Sequence, residues 1–132
     1  MPTYARAPLT FVKGKGSWLI DENSEKYLDM GAGIAVNVLG HAHPDLVQVL
    51  QKQAENLWHT SNLYNVSNQK KLADVLVEET FAQTVFFTNS GTESMECAIK
   101  MARKFHYEKG MPERIKIITF EGSFHGRSIG MI

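Results

Sequence analysis

Apolar and polar positions alternate with a short period near the start of the chain. Phe11-Val12 precedes the turn KGKG, WLI falls within Ser17–Ile20, and KYLDM at Lys26–Met30 alternates polar and apolar. DENSE supplies turn chemistry between the last two, so the segment predicts an antiparallel meander of short strands. GAGIAVNVLGHAHP, residues 31–44, has three glycines and no clear period, and predicts an ordered loop. Pro44-Asp45 then opens a helix with proline at an early position. Its spacing is marked by Leu46, Leu50, Gln53, Ala54 and Leu57, the apolar members forming one face. HTSNLYNVSN (59–68) is a polar break. A second amphipathic helix is predicted over Gln69–Glu79 with Leu72, Val75 and Leu76 inward.

The last third changes rhythm. An apolar strand, Val85–Thr88, stops at Asn-Ser-Gly-Thr. A helix is predicted from Glu93 to Tyr107, with Met95, Ala98, Ile99, Ala102 and His106 or Phe105 on its buried side. Gly110 and Pro112 stop it, IKIITF (115–120) is a second strand, and EGSFHGR is the loop after it. Strand, loop, helix, strand and loop predict a right-handed parallel βαβ unit. The fold class is α/β, and no internal repeat or low-complexity segment interrupts it.

Composition narrows the function classes. The 132 residues, 43% apolar and 21% charged, suit one soluble globular domain. A domain of that length is expected to bury about two-thirds of its unfolded surface. Lys plus Arg number 14 and Asp plus Glu number 14, so charge gives no pointer to nucleic acid or an acidic membrane. Cys97 is the single cysteine, which excludes an internal disulfide and fits a reducing, cytoplasmic setting. No apolar stretch approaches the ~20 residues of a membrane helix. MPTYARAPLT lacks the apolar middle of a secretion signal. The chain stops at GRSIGMI with two apolar residues last, which leads us to expect a truncated, longer protein.

Chemistry gathers at two loops. A strand turning directly into a helix leaves free amides at the helix start, along the positive end of its dipole. Gly91 removes a side chain where backbone could approach a ligand, and Ser90 and Thr92 add hydroxyls. That combination suits a phosphate. Taken alone, Ser90-x-x-Glu93 reads first as a capping box. The Walker pattern GxxxxGKS is absent. In open α/β sheets ligands gather at the carboxyl ends of strands, and both the Ser-Gly-Thr loop and GSFHGR lie at such ends. Phe124 could stack on a flat ring, and Arg127 offers a planar fork for a carboxylate. Together they describe a site for a phosphorylated aromatic cofactor and an amino acid. Other features read as structural. His41 and His43 lack partners to complete a metal set, so no metal is expected. GKGS (14–17) sits between strands and reads as a hairpin turn. Cys97 reads as a small buried helix thiol, and Trp18 and Trp58 as core or interface residues.

GAGIAVNVLGHAHP, HTSNLYN, FFTNSGTESMECAIKMARK and IITFEGSFHGRS, in that order, resemble the class III pyridoxal-phosphate (PLP) aminotransferases. Within them the chain is most similar to the branch acting on N2-acetylornithine. The resemblance covers essentially the whole chain. It implies the amino-terminal part of a fold type I PLP-dependent transferase. Residues 1–40 would be the amino-terminal strand segment of the small domain, and 41–132 the first part of the PLP-binding large domain. It further implies that Ser90, Gly91 and Thr92 hold the cofactor phosphate, Phe124 stacks on the pyridine ring, and Arg127 binds the substrate α-carboxylate. The implied reaction passes the amino group of acetylornithine to 2-oxoglutarate in arginine synthesis. The implied partners are these substrates and a second copy of the chain, with SNLYN near the dimer interface. Sister activities on ornithine, succinylornithine or 4-aminobutyrate stay open, as does a non-catalytic phosphate-binding or dimerising module. The resemblance places the Schiff-base lysine and the aspartate facing the pyridine nitrogen beyond residue 132. No catalytic residue is therefore expected in this chain, and alone it is expected to be inactive.

Overall fold

A computed structural model describes residues 1–131. The chain divides into two compact units, Met1–Tyr64 and Asn65–Ile132.

The first unit opens with the expected meander. Strands β1 (Phe11–Lys15), β2 (Trp18–Asp21) and β3 (Lys26–Leu28) form one antiparallel sheet in the order β1-β2-β3. Lys15 lies opposite Trp18, so Gly16-Ser17 is a two-residue hairpin loop, and GKGS is the end of β1 plus its turn. Between β2 and β3 the Asp21 carboxylate, only 3% exposed, accepts the amides of Asn23 (2.9 Å) and Glu25 (2.8 Å). The carboxylate thereby shapes the turn that DENSE predicts. Phe11 and Tyr27 meet edge to face across the sheet, 5.4 Å between centroids.

The glycine-rich loop is ordered in an unusual way. Its short helix α1 (Ala32–Ala35) is left-handed, with φ of 46° at Ala32, 65° at Gly33, 63° at Ile34 and 61° at Ala35. Such a turn costs roughly 1–2 kcal/mol for each residue bearing a Cβ. Asp29 offsets it. One carboxylate oxygen accepts the amides of Gly31 (3.0 Å) and Ala32 (2.8 Å), and the other pairs with His41 Nε2 at 2.6 Å. His41 in turn exchanges two backbone hydrogen bonds with Gly16, at 2.8 and 2.9 Å. Gly40 makes this possible: its φ is +81°, and a Cβ there would lie 2.9 Å from the Gly16 carbonyl oxygen. His41, half of the doublet weighed as a metal pair, thus clasps the loop to the hairpin.

The His41 hydrogen bond, with help from the Ala32 amide, holds the Asp29 carboxyl below its ordinary value of 3.8. A lowered carboxyl stabilises the fold above its unfolded value, and the contribution disappears as pH falls through the lowered one. Amide-exchange protection at Gly31 and Ala32 should therefore be full above pH 3.8 and decline below it. Asp29→Asn should remove the pH dependence, and protection that stays constant in the wild type through that range would contradict the clasp.

Helix α2 runs Pro44–Ala54, with Pro44 in its first turn. It stops short of Leu57, where two side chains fold back onto carbonyls of its last turn and a third reaches forward past its end. Asn56 Nδ2 donates to Lys52 O, Trp58 Nε1 to Ala54 O, and Gln53 Nε2 to Leu57 O. In the second unit, α3 covers Ser67–Glu79 and α4 covers Gly91–Glu108, each starting two residues earlier than predicted. Gly110, with φ +75°, and Met111 return amides to Tyr107 and His106 and close α4.

Two expectations fail, for one physical reason. The segments 85–88 and 115–120 form no ladder with each other or with any described residue, so the parallel βαβ pairing is not made. A strand exists only against a partner, and one crossover helix does not oblige two strands to be adjacent. Burial falls short too. The accessible surface is 12338 Å², against about 7,000 Å² for a compact monomer of 14.9 kDa. The chain buries about 43% of its unfolded surface rather than two-thirds. Among the described residues only Met131 and Asp21 are buried, and no α-helix buries a residue: Met95 and Ile99 are half-buried, and Ala98 and Ala102 are exposed. Trp18 and Trp58 are exposed rather than in a core. The apolar stripes that sequence periodicity locates are real, but nothing in residues 1–131 covers them. Among the described residues, no helix is long and apolar enough to cross a membrane.

Candidate phosphate and carboxylate site

The start of α4 forms the cap that Asn-Ser-Gly-Thr predicts and leaves open space beside it. Ser90, extended in backbone, accepts the Glu93 amide on its Oγ at 3.2 Å. The Glu93 carboxylate reaches back to the Asn89 amide at 2.6 Å. This is a reciprocal cap, with the return bond one residue ahead of the usual position. Thr88 Oγ1 lies 2.5 Å from Ser94 Oγ and fastens the preceding segment to the first turn. The cap uses the amides of Asn89 and Glu93, and Ser94 donates to Ser90 O. The amides of Gly91 and Thr92 bond to no described residue. Beside Gly91 there is room: a Cβ built there meets nothing within 4 Å. Two free amides, an open approach and the positive end of an 18-residue helix fit a phosphate. The Glu93 charge is committed to the loop side of the cap.

The second loop follows the 115–120 segment. Phe124 is 77% exposed, and the Arg127 guanidinium lies 5.7 Å from its ring centroid. The two residues assigned to a ring and a carboxylate therefore touch each other. His125 Nδ1 meets Ser123 O at 3.1 Å. Gly126 has φ +124°, and a Cβ there would lie 2.9 Å from Met131 Cγ. The buried Met131, in the 3-10 turn Ile129–Met131, thus packs directly on the Gly126 backbone.

The loop is tied to α4 by a contact that local sequence does not signal. Ser128 Oγ donates to Glu96 Oε1. Glu96 lies five positions into α4 from Gly91, about 7.5 Å along its axis. Ser90, Gly91, Thr92, Phe124 and Arg127 all belong to the second unit, and this bond ties their two loops through one helix. Cys97 points elsewhere, with its thiol 3.5 Å from Met101 Sδ.

Comparison with known proteins decides the family. The aminotransferase class-III family matches residues 2–132. The chain belongs to that family. The acetylornithine aminotransferase of Rhodobacter capsulatus is 63% identical over 132 residues, covering all of this chain and 34% of that protein. This class-III aminotransferase chain also superposes on the N-acetylornithine aminotransferase structure from Stenotrophomonas maltophilia K279a. The TM-score there is 0.85 and the identity 43%, over 93% of this chain and 34% of that one. A structure of the ornithine aminotransferase from Toxoplasma gondii, with partial occupancy of PLP at its active site, matches with TM-score 0.77. Its identity is 33%, over 83% of this chain and 26% of that one. The class-III chain thus spans about a third of the length of the curated relatives it matches. Its fold is the amino-terminal part of the fold type I architecture, short antiparallel strands followed by helices.

Proposed function

We propose that this chain is the amino-terminal part of a PLP-dependent transaminase that passes the amino group of N2-acetylornithine to 2-oxoglutarate, in arginine synthesis. The observation that carries the reading is the pair of free amides at Gly91 and Thr92, beside open space, on the helix that also holds the Arg127 loop. These amides and the Ser90 and Thr92 hydroxyls would hold the cofactor phosphate. Phe124, exposed at the adjoining loop, would lie against the pyridine ring. Arg127 would leave the Phe124 face and take the substrate α-carboxylate with its fork of donors. PLP, when bound, supplies an electron sink for the carbanion formed at the amino acid. The residues of this chain would bind and orient, and another part of the enzyme would supply the proton-moving lysine.

The choice of acetylornithine is supported by the 63% identity to the Rhodobacter capsulatus enzyme across the whole chain. We place the activity in the cytoplasm and the site at a homodimer interface, with the SNLYN loop (61–65) near its mouth. Residues 1–40 are assigned to the small domain and 41–132 to the large one. The test is a panel of amino donors offered to the whole enzyme with 2-oxoglutarate as acceptor. Acetylornithine should exceed ornithine and 4-aminobutyrate in kcat/KM by about tenfold or more. A preference for either competitor would overturn the assignment.

A further inference from the structure

The Arg127 loop carries no regular structure except the terminal 3-10 turn, yet its backbone is held on both sides of Arg127. On one side Met131 packs on the Gly126 backbone. On the other, Ser128 donates its hydroxyl to the half-buried Glu96 carboxylate, and the Ser128 carbonyl accepts the Met131 amide at 2.9 Å. Gly130 adds a close approach, since a Cβ there would lie 3.0 Å from Glu96 Oε1. The second Glu96 oxygen faces Lys100 at 3.8 Å, an outward pair that leaves Oε1 to the serine. The partners are 32 positions apart in the chain, so the bond is tertiary and serves no local turn. A hydrogen bond to a charged acceptor is among the stronger ones a side chain makes.

We propose that Glu96 and Ser128 are positioning residues, which through their hydrogen bond set the Arg127 guanidinium at a fixed height above the phosphate cup. The proposal rests on the assignment of Arg127 to the substrate carboxylate. Phosphate is gripped at the start of α4, and the carboxylate reader hangs from the same helix one and a half turns later. One rigid element thereby measures the span between cofactor phosphate and substrate carboxylate, and a loosened carboxylate reader weakens the donor's ground-state and transition-state binding alike.

The whole enzyme is the sample. Ser128→Ala and Glu96→Ala should each raise the KM for the amino donor about 5- to 20-fold, with kcat and PLP affinity changed less than about threefold. The Kd of a non-reacting carboxylate analogue of the donor, read by calorimetry, should weaken by the same factor. Ser128→Thr and Glu96→Gln retain donor and acceptor and should stay near wild type. The Ser128→Ala, Glu96→Ala double variant should be no worse than either single one. Unchanged KM in both alanine variants, additive effects, or a lowered melting temperature with unchanged analogue Kd would overturn the proposal. Should an alanine variant fail to fold, the conservative pair decides: a tenfold KM rise in both would count against it. Arg127→Ala run alongside separates the two levels. If it raises KM while the alanine variants do not, only the positioning role falls; if it does not, both readings fall.

Discussion

Arg127→Ala should raise the KM for amino-acid and 2-oxo-acid substrates alike, by about 10- to 150-fold, because a hydrogen bond to a charged group contributes about 1.5–3 kcal/mol. Both substrates present a carboxylate next to the reacting carbon, so both should suffer. Loss of ground-state grip appears first in KM, and kcat falls only as far as the carboxylate contact tightens in the transition state. Arg127→Lys should recover little, since a point charge cannot reproduce a planar two-pronged contact. Arg127 is exposed, and its guanidinium lies against the exposed Phe124 ring. Phe124→Leu offers a control, weakening PLP binding while leaving the ratio of KM values between substrates unchanged. Steady-state kinetics on the whole enzyme checks all three. An unchanged KM in Arg127→Ala would remove Arg127 from the site.

The second large effect is expected at Gly91. If Asn-Ser-Gly-Thr were only a cap, Gly91→Ala would be neutral or would stabilise the protein. Alanine exceeds glycine in helix propensity by up to about 1 kcal/mol, and the added methyl meets nothing within 4 Å. If it is a phosphate cup, that same open space belongs to the ligand. Gly91→Ala should then weaken PLP binding, and Gly91→Val should weaken it about 10- to 100-fold as hydrogen bonds from the Gly91 and Thr92 amides are lost. The two readings differ in sign for stability against affinity. Thermal melting of the apo enzyme and cofactor titration together resolve them.

Some of this was legible along the chain and some was not, for reasons that follow range of interaction. The hairpins could be read because KGKG and DENSE act within a few residues, as the Asp21 bonds to Asn23 and Glu25 show. The helices could be read because a 3.6-residue period and the Ser90–Glu93 cap are local. The end of α2 was missed because it depends on side chains of Asn56 and Trp58 folding back onto its last carbonyls. The left-handed turn at 32–35 was invisible because it is imposed by Asp29 and His41, 12 positions apart. The strands at 85–88 and 115–120 have the right composition, but strand formation is decided by a neighbour, and no described residue supplies one. Burial was overestimated on the same ground, since an apolar stripe marks a face without providing its cover. Within the site, Ser90, Gly91, Thr92, Phe124 and Arg127 carried residue-type signals, whereas Glu96 and Ser128 look like an ordinary helix glutamate and loop serine until the fold joins them.

The most direct measurement compares pyridoxal 5'-phosphate with unphosphorylated pyridoxal on the whole enzyme, wild type and Gly91→Val, by spectral titration. The wild type should prefer the phosphorylated form by a wide margin, and Gly91→Val should reduce that margin about 10- to 100-fold while binding pyridoxal as before. A margin that Gly91→Val leaves intact, or a wild type that binds both forms equally, would contradict a phosphate cup at the start of α4.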